Sequence, residues 1–93
     1  MLELAHAEKW INVGAGKHGI TAYVDSDSAV RMGDIATINL GEPSSKYKPE
    51  VLRFDCVKRL EMDTREPIEK YAEFPMVKAS FDIACKRWYE IWK

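Results

Sequence analysis

Along most of the chain apolar and polar residues alternate with period two. In residues 19–25, "GITAYVD", Ile20, Ala22 and Val24 point one way, and Thr21, Tyr23 and Asp25 the other. Residues 34–40, "DIATINL", repeat the pattern with Ala36, Ile38 and Leu40 on one face. Residues 8–13, "EKWINV", are short and rich in aromatic and β-branched side chains. Each of these stretches reads as a strand. Residues 51–62, "VLRFDCVKRLEM", read as a fourth. Leu52, Phe54, Cys56 and Leu60 share its inner face, broken by Lys58, while Arg53, Asp55 and Arg59 face water with Val57 among them. Between the second and third strands "SDSAVRMG" is long enough for one helical turn and a reversal. Residues 41–50 form a loop by composition. Residues 63–74 are ambiguous between a helical turn, an edge strand and neither; Pro67 lacks a donor and argues against a central strand there.

From Pro75 the period changes. Val77, Phe81, Ala84, Cys85, Trp88 and Trp92 fall within about 100° of a helical wheel, and Lys78, Asp82, Lys86, Glu90 and Lys93 occupy other faces. Pro75 suits a first helical position, where its missing N–H costs nothing. The expected fold is α+β: an antiparallel sheet of about four strands, with a C-terminal amphipathic helix packed on one face.

Size and charge narrow the function classes. The 93 residues suit one domain, with residues 1–7 a tail and residues 8–93 the folded unit. Hydrophobic residues at 46% and charged residues at 31% are those of an ordinary globular domain. A net charge of −1 offers no footprint for nucleic acid or an anionic membrane surface. No apolar run approaches the roughly 20 residues a membrane-spanning helix needs.

Gly14, Gly16 and Gly19 spell G-x-G-x-x-G, the outline of a phosphate-binding loop. Such a loop must open a helix, whose N-terminus holds the phosphates. Here it is followed by "ITAYVD", which alternates as a strand. Lys17 is followed by His18, which also defeats the P-loop pattern. The glycines are therefore expected to reverse a hairpin, with Lys17 and His18 at its tip. His6 and His18 are the only histidines and have no cysteine nearby, so no zinc ligand set is expected. "DSDS" at residues 25–28 opens like a calcium loop but lacks its glycine and closing glutamate. Asp25 or Ser28 capping a turn is the simpler reading. "KYK" at residues 46–48 is too short for a nucleic-acid groove. No catalytic residue, cofactor site or metal site is assigned.

Trp88 and Trp92 are expected in the core. Trp10 and Tyr23 can instead occupy the sheet face the helix leaves bare, an apolar patch suited to a protein partner or to a homodimer. With Lys17 and His18 they are the candidate partner surface.

Cys56 and Cys85, the only cysteines, fall on facing sides of the fourth strand and the helix. A bridge closing about 29 residues would stabilise a domain by roughly 3–4 kcal/mol in the chain-entropy model. Two buried free thiols in a cytosolic protein are the alternative. Ala5-His6-Ala7 matches the small-x-small triplet cut by signal peptidase, although only residues 1–4 precede it. Together with the even cysteine count it favours an extracytoplasmic protein, periplasmic or at the cell surface, without its signal peptide.

Trp10 opening the first strand, "YVDSDSAVRMGD" at residues 23–34, "RFDC" at residues 53–56 and Cys85 after a Pro-led segment carry a resemblance. Over residues 8–88 the chain resembles the surface-adhesin E-like family of small bacterial secreted and periplasmic domains. The resemblance implies an antiparallel sheet packed against helical segments, with the family's two cysteines bridged; these fall on Cys56 and Cys85. Family members include an adhesin that binds host matrix proteins. The chain departs from the family in a shorter segment between the cysteines and in the extension "KRWYEIWK". The expected function is a non-enzymatic protein-binding module. The alternatives are a cytosolic structural or assembly subunit with free cysteines, or a small Cys/His enzyme.

Overall fold

The computed structural model describes residues 9–16, 19–43 and 48–92, with the side chains of the last helix as far as Cys85. Six strands form one antiparallel sheet in chain order: β1 (Trp10–Ala15), β2 (Thr21–Met32), β3 (Ile35–Gly41), β4 (Glu50–Asp55), β5 (Leu60–Glu61) and β6 (Glu66–Pro67). A 3-10 turn (Ile68–Tyr71) leads into the helix α1 (Pro75–Trp92). The class and the C-terminal helix agree with the alternation and the switch of period. The strand count does not: six strands stand where about four were expected.

The two added strands both lie in the second half of the chain: residues 51–62 divide between β4 and β5, and residues 66–67 form β6. The sheet departs from the sequence pattern at two places. First, "SDSAVRM" is not a turn of helix. β2 continues through it to Met32, and the chain reverses only at Gly33, whose φ is +64°. The strand survives because it bulges. Asp25 pairs with Asn39 and Val30 with Thr37, so four residues of β2 face one of β3. Side chains close the gap: the Asp25 Oδ1 accepts the Lys9 and Asp27 amides at 2.9 and 3.1 Å. The Ser28 hydroxyl donates to the Asp25 carbonyl at 2.6 Å and accepts the Asn39 amide at 2.8 Å. Three extra residues are an odd number, and side-chain direction in a strand has period two. Beyond the bulge, β2 therefore presents opposite parity.

Second, residues 51–62 are two strands, not one. β4 stops at Asp55, whose Oδ1 accepts the Val57 and Lys58 amides at 3.0 and 2.8 Å, while the Arg59 amide returns to the Asp55 carbonyl. Six residues on, the turn recurs. The Glu61 carboxylate accepts the Asp63 and Thr64 amides and the Thr64 hydroxyl, and the Arg65 amide returns to the Glu61 carbonyl. Both turns end on an arginine with positive φ, 59° at Arg59 and 64° at Arg65. At each reversal an acidic side chain closes the turn by accepting its backbone amides, while an arginine takes the positive φ that glycine takes in commoner hairpins. Cys56 accordingly lies in the first turn rather than on a strand. Leu60 pairs with Asp55, on the opposite face to Phe54, and Asp55 is buried rather than facing water. Pro67 sits on the outermost strand, where no ladder bond needs its missing amide.

The core lies between the sheet and α1. Val24, Ala36, Ile38 and Phe54 are fully buried, with Phe81 and Ala84 of the helix over them. Phe54 and Phe81 meet edge to face at 5.5 Å, and the Arg59 guanidinium lies 5.0 Å from the Phe81 ring centre. Burying each large apolar side chain contributes about 1.5–3 kcal/mol. Ile20, expected to point inward with Ala22 and Val24, instead precedes β2 and is exposed. Trp88 and Trp92, expected in the core, lie outside the described side chains.

Candidate interaction surface

The glycine motif joins β1 to β2 as a hairpin. The Gly16 amide donates to the Ile20 carbonyl at 3.0 Å and the Gly19 amide to the Gly16 carbonyl at 3.2 Å. Gly14 (φ +96°) and Gly19 (φ +72°) take up conformations other residues avoid. Two of the glycines also seat the helix. A Cβ on Gly14 would lie 3.3 Å from the Pro75 ring, and one on Gly16 would overlap the Met76 sulfur. The loop thus receives the first turn of α1 rather than opening a helix of its own. Lys17 and His18, placed at its tip from sequence, lie outside the described residues, as does His6.

In "DSDS" the Asp25 carboxylate and the Ser28 hydroxyl are engaged at the β2 bulge, and the Ser26 hydroxyl donates to the Lys9 carbonyl. Among the described residues no three His, Cys, Asp or Glu side chains are placed to hold a metal, and no helix is long and apolar enough to cross a membrane. The hydrogen bond from Arg59, 2.8 Å from guanidinium nitrogen to Glu69 Oε2, holds the exposed Glu69 below the usual carboxylate range.

Of the exposed large apolar side chains among the described residues, Ile20 and Val57 stand in loops, and Val30, Met32 and Val51 stand on the sheet face away from α1. Ala36 and Phe54 pair with each other and point to the core. Their alternates Ile35, Thr37 and Asn39 on β3, and Val51 and Arg53 on β4, point the other way. The reversed parity of β2 puts Val30 opposite Thr37 and Met32 opposite Ile35 on that same outward face. Val30 is 55% exposed, Met32 77% and Val51 50%. Arg53 is the exposed charged residue among them, paired at 3.6 Å with Asp63, and Asp55, opposite Ile35, is buried.

Trp10 and Tyr23 belong to this face as well. Trp10 pairs with Asp25 and Asn12 with Tyr23, all on the side opposite Val24. Both aromatics are half-buried. The Trp10 indole lies across β2, so that a Cβ on Gly41 would stand 3.4 Å from its Cη2. The sequence pattern missed Val30, Met32 and Val51. The alternation Val30, Arg31, Met32 was a signal for the first two, but it is readable only if β2 runs through the polar serines.

On the other side, Cys56 and Cys85 form a disulfide with a Cα–Cα distance of 5.7 Å, joining the β4–β5 turn to α1. No family model, curated protein or solved structure matches the chain.

Proposed function

We propose that this chain is a non-enzymatic, extracytoplasmic protein-binding module of the surface-adhesin E-like kind. Its binding surface is the sheet face that α1 leaves open. One observation carries the reading: Val30 and Met32, each more than half exposed, stand beside Thr37 and Ile35 on that face, with the half-exposed Val51 beyond β3 opposite Asn39. An apolar centre with polar surroundings is the composition of a protein contact site. The Cys56–Cys85 bridge supports an oxidising compartment, and the resemblance supports a matrix protein as partner.

The test is solid-phase binding of the purified, oxidised protein to immobilised fibrillar and basement-membrane proteins. The Val30→Glu/Met32→Glu variant serves as comparison, with circular dichroism to establish that it folds. The reading expects saturable binding that falls at least tenfold in the variant. No binding to any matrix protein, or equal binding by a folded variant, overturns it. A second copy is the rival occupant; a dimer by light scattering that the same variant dissociates would favour that occupant.

A further inference from the structure

The bridge leaves the chain with no free thiol, since Cys56 and Cys85 are its only cysteines. Thioethers are then the side chains most open to a peroxide. Of the four methionines, Met1 lies outside the described residues, and the other three differ in access. Met62 and Met76 are half-buried. Met76 packs on the core, with its sulfur so close over Gly16 that a Cβ there would overlap it. Met32 is 77% exposed, more than any other large apolar side chain among the described residues. It ends β2 on the open sheet face, opposite Ile35 across the Gly33–Asp34 turn and two residues from Val30. Access and a place in the apolar face thus coincide at one residue.

We infer that Met32 is an oxidation site through which a peroxide switches off the apolar face. A lone pair of the Met32 sulfur attacks one oxygen of hydrogen peroxide. The O–O bond breaks and an S–O bond forms. The proton on the transferred oxygen passes to the leaving hydroxide, which departs as water. Sulfur loses the two electrons that the peroxide gains. The product is a sulfoxide, polar where the thioether was apolar. It sets a strong hydrogen-bond acceptor beside Val30 and Ile35. Covering such an acceptor without a hydrogen bond is unfavourable, so the oxidised face loses affinity for an apolar contact. The loss of binding rests on the partner surface proposed above, whereas the choice of methionine does not.

The experiment treats the folded, disulfide-bridged chain with dilute hydrogen peroxide. Trypsin leaves Met32, Met62 and Met76 on separate peptides, and mass spectrometry follows the gain of about 16 Da, one oxygen, on each. Retention of the native protein on a phenyl column reports surface apolarity before and after treatment, for the wild type and for Met32→Leu. The expected result is sulfoxide forming at Met32 at least tenfold faster than at Met62 or Met76, with wild-type retention falling and Met32→Leu retention unmoved. Comparable or faster oxidation at Met62 or Met76 overturns the inference. So does wild-type retention that treatment leaves unchanged, or a fall of equal size in Met32→Leu. Where the untreated chain binds a matrix protein, conversion of Met32 to the sulfoxide should weaken that binding at least tenfold; equal binding overturns the switch. A chain that binds no matrix protein overturns the partner surface instead, and the peptide and retention results still decide for or against Met32.

Discussion

The Ser28 hydroxyl holds the outward face in place, and its removal has a calculable cost. It donates to the Asp25 carbonyl at 2.6 Å and accepts the Asn39 amide at 2.8 Å, the two bonds that close the bulge between β2 and β3. In Ser28→Ala both backbone groups lose that partner in a half-buried site. One fully buried unsatisfied group costs about 1–3 kcal/mol; water reaches this half-buried site, so the two losses together are taken as about that much. For a domain of this size 1 kcal/mol corresponds to roughly 4–8 °C in Tm, so the variant should melt about 5–20 °C lower. Ser28→Thr keeps the hydroxyl and should recover most of the loss. Urea denaturation gives the free energy, and the nitrogen–proton NMR spectrum gives the Asn39 amide, which should shift and exchange faster in Ser28→Ala alone. A Ser28→Ala protein within 0.5 kcal/mol of wild type (the ordinary scatter of surface substitutions), with an unmoved Asn39 amide, would refute the account of the bulge. It would also remove the reason given for the outward direction of Val30 and Met32.

Other expectations follow from the same geometry. Asp55→Ala and Glu61→Ala each strip two backbone amides of a buried carboxylate acceptor; each should cost about 2 kcal/mol by denaturant titration, and the two should add to within about 0.5 kcal/mol only if the tandem turns are independent. Gly14→Ala should destabilise more than Gly33→Ala, because both glycines have positive φ but only Gly14 faces Pro75 at 3.3 Å; the second should cost about 1–2 kcal/mol for backbone strain alone. In a carbon-detected NMR titration Glu69 should lose its proton at lower pH than an ordinary glutamate, the hydrogen bond from Arg59 being the main cause. A depressed carboxyl favours the folded state above its unfolded pKa, and that contribution disappears as pH falls through the folded value. Arg59→Ala should move Glu69 back up toward the ordinary range.

Much of the framework was legible wherever one local rule acted alone. Pro75 and the spacing through Phe81 and Ala84 marked the helix because an amphipathic stripe needs no information from elsewhere in the chain. Ala36, Ile38 and Leu40 alternated cleanly because β3 lies between two full strands. Failure came where side chains substitute for the usual punctuation. At Arg59 and Arg65 the positive φ falls on arginine, and the turns are closed by Asp55 and Glu61 upstream, so no glycine or Asn-Gly pair announces them. At Ser26 and Ser28 polarity suggests a reversal, whereas the Ser28 hydroxyl closes a bulge that keeps the strand going and the Ser26 hydroxyl donates to the Lys9 carbonyl. The candidate surface suffered twice over. Trp10 and Tyr23 were placed on the open face by simple alternation. Val30 and Met32 point outward only because three extra residues reverse the parity of β2, a count that depends on its pairing with β3.

The facing of Cys56 and Cys85 was reached from sequence by treating residues 51–62 as one strand. The structure arrives at the same bridge by another route, since the β4–β5 turn brings Cys56 to the edge of the core beneath α1. Closing a loop with sequence separation 29 is worth about 3–4 kcal/mol in the chain-entropy model. That is a large share of a stability of about 5–15 kcal/mol, so the thiols' redox state bears on fold and compartment together.

The most direct measurement is therefore the state of those two sulfurs in the cells that make the protein. Acid quenching followed by alkylation with a mass-tagged maleimide counts free thiols before exchange can occur. Chain with neither cysteine tagged, both becoming taggable after reduction, is the result predicted for a bridged protein in an oxidising compartment. Chain carrying two tags at the moment of quenching would contradict it.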